Sequence, residues 1–162
     1  MYNIPMITVA FMGHSDIDVT DALRERVRSE IVALIESNKS IKFLLGSRSD
    51  FNDLCRDVLS ELKVKYPHIR RVYVRAEYEY INDDYTNYLL ERCDETYYPP
   101  QLHGLGKYVY VRRNQIMVEK CNVLIVYCDE NYVPLGRTRS GTKMAVDFAN
   151  RKHKRVINVF ES

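Results

Sequence analysis

Short apolar runs alternate with stretches of three-and-four periodicity along almost the whole chain. Residues 7–12, ITVAFM, form an unbroken apolar run closed by Gly13. That is the pattern of a strand covered on both faces. Thr20 then stands as an N-cap, and Leu23, Val27, Ile31 and Leu34 recur at helical spacing, so a helix is expected to about Ser37. KFLLG at 42–46 predicts a second strand. Asp50 is read as the cap of a second helix with Phe51, Leu54, Cys55, Val58 and Leu62 inward, ended by Pro67. RVYVRA at 71–76 predicts a third strand. Residues 82–92 read as a helix, and ETYYP at 95–99 as a weak fourth strand whose place in the sheet stays open. A helix from about Lys107 to Lys120 turns Ile116 and Met117 inward. NVLIVYC at 122–128 is the strongest strand pattern. Ser140 to Arg151 reads as a helix with Met144, Ala145, Phe148 and Ala149 on one face, and RVINVF at 155–160 closes the series.

Strands thus alternate with helices and are apolar throughout. The expectation is an α/β fold, Rossmann-like and doubly wound: a mainly parallel sheet of five to six strands with helices on both faces. At 162 residues it is expected to be a single domain, 1–162. In such sheets a ligand sits beyond the carboxyl ends of the strands. Three loops leave those ends with small or polar residues: GHSD from Gly13, GSRSD from Gly46, and DENYVPLGRTRSGT from Asp129.

Composition narrows the classes. Hydrophobic content of 46% and charged content of 28% suit a soluble globular domain. A net charge of +2 is too small for a protein that binds nucleic acid by neutralising phosphates. The basic run Arg151–Arg155 reads as a solvated helix end, where cations are favoured. Cys55, Cys93, Cys121 and Cys128 show no Cys-x-x-Cys pair and no zinc spacing with His, so buried thiols in a reducing, cytoplasmic setting are expected, with no metal and no cofactor. The start MYNIPMITVAFMGH lacks a basic leader, and no apolar run approaches the ~20 residues of a membrane span.

The stretch GRTRSGTK, 136–143, carries the sharpest chemistry. Gly136 and Gly141 have P-loop spacing, but Thr142 and Lys143 come in the reverse order, which argues against a nucleoside triphosphatase. A helix N-terminus still attracts anions through free N–H groups and its dipole. Ser140, Gly141, Thr142 and Lys143, with Arg139 just outside, can therefore form a phosphate cradle; a plain Ser cap is the alternative. GLGKYV at 104–109 lacks the third Gly and a preceding strand, so it is no dinucleotide fingerprint. His14 is read as a ligand contact or as structural. Asp50, Glu95 and Asp147 form no convincing acid–base pair, and no catalytic residue is assigned. Nine of the thirteen tyrosines fall between Tyr73 and Tyr110. They suit first a homodimer or higher homo-oligomer surface and second a base-stacking lid.

TVAFMGHSDI, FLLGSRSDFNDLCRDVLSELKVKYPHI and YVRRNQIMVEKCNVLIVYCDENYVPLGRTRSGTKMAVDFANRKHKRVINV resemble the SLOG superfamily. This is the Rossmann-like group that includes the Lonely Guy phosphoribohydrolases and the DNA-processing protein DprA; small stand-alone bacterial members of unassigned function are nearest. The resemblance implies a nucleotide or nucleotide-derived ligand at the strand ends. Arg113 and Met117 match the Arg and Met of the enzymes' helix, and Gly141 and Thr142 match their phosphate loop. Ala145 stands in the place of the catalytic Glu. Gly13, His14 and Ser15 stand where relatives carry GHR; Gly46, Ser47 and Arg48 stand in place of a Gly-rich loop, and Asn52 removes an acid.

The combined expectation is a protein that binds a phosphorylated nucleoside derivative, a nucleotide or ADP-ribose-type signal, as sensor or sequestering protein. By fold analogy alone it would act in phage–host conflict. The expected contacts are Gly13, His14, Ser15, Gly46, Ser47, Arg48, Arg113, Arg139, Ser140, Gly141, Thr142 and Lys143. The alternatives are a nucleotide N-glycosidase using Glu95 or Asp50, and an interaction module working through residues 73–110.

Overall fold

The structure, a computed structural model, describes residues 5–46, 48–132, 134 and 140–161. Six strands form one sheet in the order β4-β3-β2-β1-β5-β6, and every neighbouring pair is parallel. They are β1 (Ile7–Gly13), β2 (Ile41–Leu45), β3 (Arg70–Val74), β4 (Glu95–Tyr97), β5 (Val123–Tyr127) and β6 (Arg155–Asn158). Five helices connect them: α1 (Asp21–Ser37), α2 (Asp50–Lys65), α3 (Asp83–Leu90), α4 (Val109–Lys120) and α5 (Gly141–Arg151).

The apolar strand runs have a direct cause. Successive side chains of a strand point to opposite faces. Val9 and Phe11 enter a core with residues of α1 and α2, such as Val27, Ile31, Phe51 and Val58. Ala10 and Met12 enter a second core with residues of α4 and α5, such as Met117, Val118, Ala145 and Ala149. Both faces are covered, so neither set of alternate positions can be polar. Phe11 and Phe43 stack across β1 and β2 at 5.9 Å. The chain leaves β4 at one edge and re-enters beside β1 as β5, passing from the α1/α2 face to the α4/α5 face. The reversal of winding falls between β1 and β5.

Local chemistry sets the helix starts. The Thr20 hydroxyl accepts from the Leu23 N–H, and Asn82 accepts from the Tyr85 N–H. The cap of α2 is Ser49, which accepts from the Asn52 N–H. This corrects the reading of Asp50 as the cap. Asp50 is the first helical residue instead, and its Oδ2 accepts from the Ile17 N–H at 3.1 Å. The weak strand at 95–99 does join the main sheet, as β4 at 95–97, paired with Val72–Val74. The helix expected from Lys107 begins with a 3₁₀ turn over Gly106–Tyr108 before α4 proper. All four cysteines are buried and free. Among the described residues no helix is long and apolar enough to cross a membrane.

Candidate functional site

Beyond the carboxyl ends of β1, β2 and β3 lies a cavity of about 210 Å³. Its floor begins at Gly46. A Cβ there would come within 3.0 Å of Arg113 Cδ, Met117 Sδ and the Val74 carbonyl oxygen, so only Gly lets α4 approach the end of β2 this closely. The Arg113 side chain fills that space. It is 7% exposed, donates from Nη1 to the Gly46 carbonyl and from Nε to Asn114 Oδ1, and lines the cavity. Burial pushes its pKa down, opposed by the neighbouring Tyr73, Glu77 and Tyr110. Among the described residues no carboxylate forms an ion pair with it. A buried cation with no ion-paired carboxylate is costly, and the nearby Glu77 charge offsets that cost only in part.

The walls come from the segment after β3, from α3 and from α4. Arg48 Nη2 meets Glu77 Oε2 at 2.8 Å. A hydrogen bond with Tyr85, then the Glu77 charge, raises the Arg48 pKa. Arg75 donates to the carbonyls of Tyr78 and Glu79 and to Thr96 Oγ1, which ties residues 75–79 to β4. Tyr73, Tyr78, Tyr85 and Tyr110 add aromatic surface to the lining. Burial raises the Tyr73 pKa, so its hydroxyl stays a neutral donor. Three guanidinium groups and one carboxylate give the cavity an excess of positive charge.

The α5 end is built differently. Ser140 Oγ accepts from the Thr142 and Lys143 N–H groups at 3.2 and 3.3 Å. The same oxygen lies 3.3 Å from His14 Nδ1, while the Asp129 N–H donates to His14 Nε2 at 2.8 Å. Since Nε2 accepts, the neutral ring carries its proton on Nδ1 and donates to Ser140. This is the reverse of a His that deprotonates a serine nucleophile. His14 is 3% exposed, stacks on Tyr132 at 4.0 Å between centroids, and has its pKa lowered by burial. Both ring nitrogens are engaged inside the protein, so His14 ties β1, the end of β5 and the start of α5 together.

The expected contacts therefore divide. Ser15, Gly46, Arg48 and Arg113 line the cavity. Gly13 lies beneath it: a Cβ there would sit 2.4 Å from Phe51, so its role is to let α2 pack on β1. Ser140 and Thr142 are buried at the α5 cap, and Lys143 pairs with Glu130 and Asp147 at 3.5 and 3.7 Å. Gly141 and Ala145 line a smaller hollow of about 110 Å³ on the other side of α4, between α4 and α5. Ser47 and Arg139 lie outside the described residues. Of the two alternative acids, Glu95 pairs with Arg70 at the amino end of its strand, away from the cavity, and Asp50 is held by Ile17. Asp147 is half-buried on α5. Sequence reasoning missed Arg75 and Glu77 as lining residues. It gave Tyr73, Tyr78, Tyr85 and Tyr110 first to an interface, although their density along 73–110 was the available signal.

No family model matches the chain, and no curated protein does. A solved structure of the molybdenum cofactor carrier protein from Chlamydomonas reinhardtii is similar. The two are 17% identical, the match covers 94% of this chain and 75% of that one, and the TM-score is 0.55. At this identity the likeness shows the fold alone, a Rossmann-like α/β sheet.

Proposed function

We propose that the protein binds a phosphorylated nucleoside derivative in the cavity beyond β1, β2 and β3, as a sensor or sequestering protein. The observation that carries this reading is Arg113, a buried guanidinium with no carboxylate partner among the described residues, lining a cavity rich in Arg and Tyr. An anionic group supplies the direct ionic partner that Arg113 lacks, and tyrosine rings offer faces for a base. Residues at the carboxyl ends of a doubly wound sheet are the usual place for such a ligand. The similar carrier protein is named for a small-molecule cofactor, which accords with ligand binding in general. The SLOG resemblance supports the nucleotide class.

Binding is favoured over N-glycoside hydrolysis because neither Glu95 nor Asp50 lines the cavity, Ala145 lines a different hollow, and the one carboxylate in the wall, Glu77, is ion-paired with Arg48. The test is a thermal-shift screen with AMP, ADP, NAD, ADP-ribose and cyclic ADP-ribose isomers, with each sample assayed afterwards for free base. A ligand at 100 times its dissociation constant adds about 2.7 kcal/mol of stability. A shift without free base is the expected result. Free base would assign the protein to the hydrolases, and no shift with any of these compounds would overturn the reading.

A further inference from the structure

We propose that Glu77 makes the cavity selective for phosphate compounds that carry hydroxyl groups beside the phosphate, as a ribosyl unit does, over bare phosphate and hydroxyl-free esters. The inference rests on the anion-binding reading above and adds a second requirement to it.

A carboxylate is an unexpected wall for an anion site, because it repels the ligand the arginines attract. Its charge favours the buried Arg113 cation, but no ion pair joins the two. The cation that lacks a partner is Arg113, 7% exposed, whereas Glu77 pairs with Arg48, whose side chain is 65% exposed and well hydrated. Such an exposed ion pair adds little stability. Glu77 is an exposed residue whose side chain is 28% exposed, and it lines the cavity together with Arg113, Tyr73 and Tyr85.

An ionised carboxylate only accepts hydrogen bonds and offers about four lone-pair positions. Among the described residues Arg48 is its ion partner and no second donor reaches it. The remaining positions are best filled by donors on the ligand. A sugar phosphate has both halves of the match: an anion for Arg113 and hydroxyl donors for Glu77. Inorganic phosphate and simple alkyl phosphates have only the first, and meet an uncompensated negative wall.

The test is a titration of inorganic phosphate, butyl phosphate and ribose 5-phosphate into the wild-type protein, Glu77→Ala and Glu77→Gln, followed by NMR. The wild type is expected to bind ribose 5-phosphate about tenfold tighter than butyl phosphate, since the Glu77 carboxylate can accept from the sugar hydroxyls and finds no donor on the alkyl ester. In Glu77→Ala that preference disappears while inorganic phosphate binds more tightly, so the two ligands move in opposite directions. Glu77→Gln keeps an acceptor without the charge; it retains part of the preference and also gains affinity for inorganic phosphate, and it serves alone if the Ala variant does not fold. Equal change of all three affinities, or an unchanged preference, overturns the role of Glu77 while leaving the anion site standing. Binding of none of the three to any of these proteins overturns the anion site and this inference with it.

Discussion

Arg113 and His14 are both buried ionisable groups at the same edge of the sheet, and their partners give them opposite parts. Arg113 donates to a carbonyl and an amide oxygen and has no ion-paired carboxylate among the described residues; His14 has both ring nitrogens bonded within the protein. Replacing the first should therefore cost binding more than stability. Arg113→Met is expected to lower affinity for the phosphorylated ligand at least about tenfold, the loss of one charge-assisted contact. Its melting temperature should stay within a few degrees of wild type, because removing a desolvated charge offsets the lost bond to Gly46. Calorimetry and a melting curve on the same sample check both halves. For His14 the expected effect is on stability and pH. Its pKa is lowered in the folded state, so at falling pH the unfolded chain takes up a proton first, near the ordinary 6.5. The stabilisation is fully present above that value and is lost as pH falls through the folded-state pKa. Melting curves from pH 7.5 to 5 should fall for the wild type. His14→Asn should start lower and fall less steeply; equal slopes would remove His14 as the cause.

At the scale of elements, β4 is the weakest member of the sheet, three residues long and half-buried. A cluster at its start fastens it. Asp94 accepts from the Arg71 N–H at 2.8 Å and from the Arg71 guanidinium at 3.1 and 3.2 Å, and Lys63 of α2 lies 3.4 Å away. Burial acts to raise the Asp94 carboxyl, but hydrogen bonds from Arg71 and the charges of Arg71 and Lys63 outweigh it and hold the pKa below its ordinary value. Asp94→Ala is expected to destabilise by about 1–3 kcal/mol, because it leaves a largely buried guanidinium unpaired. Amide exchange at 95–97 should accelerate before the rest of the sheet; unchanged exchange there would show that the cluster does not hold the edge. Gly13→Ala is expected to cost a similar amount through overpacking against Phe51, read as a lower denaturation midpoint. The strands were legible because two-sided burial forces continuous apolar runs, as in ITVAFM and NVLIVY. The start of α2 was misread because Ser49 and Asp50 are both good capping residues, and only the three-dimensional bond from Ile17 shows that Asp50 is already occupied.

For the molecule as a whole, the sheet edge that carries the candidate cavity was legible and the division of that edge was not. Alternating strands and helices place Gly13, Gly46 and residues 140–143 at the same end of the sheet, and sequence reasoning merged them into one site. In the folded chain α4 passes between two hollows. Tyr110 and Arg113 face one, whereas Val111 and Asn114 face the other. That separation depends on how α4 is rotated against the sheet, which no local pattern reveals. The Ser140 hydroxyl was also ambiguous in the sequence, since a helix cap and a phosphate cradle use the same residue types. Under the proposed function the anion sits against Arg113 rather than at the start of α5. The most direct test is an amide and guanidinium NMR shift map of the protein titrated with AMP and with ADP-ribose. The largest changes are expected at Gly46, Ala76, Glu77 and the Arg113 side chain, with little movement at Gly141–Lys143. Changes centred on Gly141, Thr142 and Lys143, with Arg113 unmoved, would contradict it.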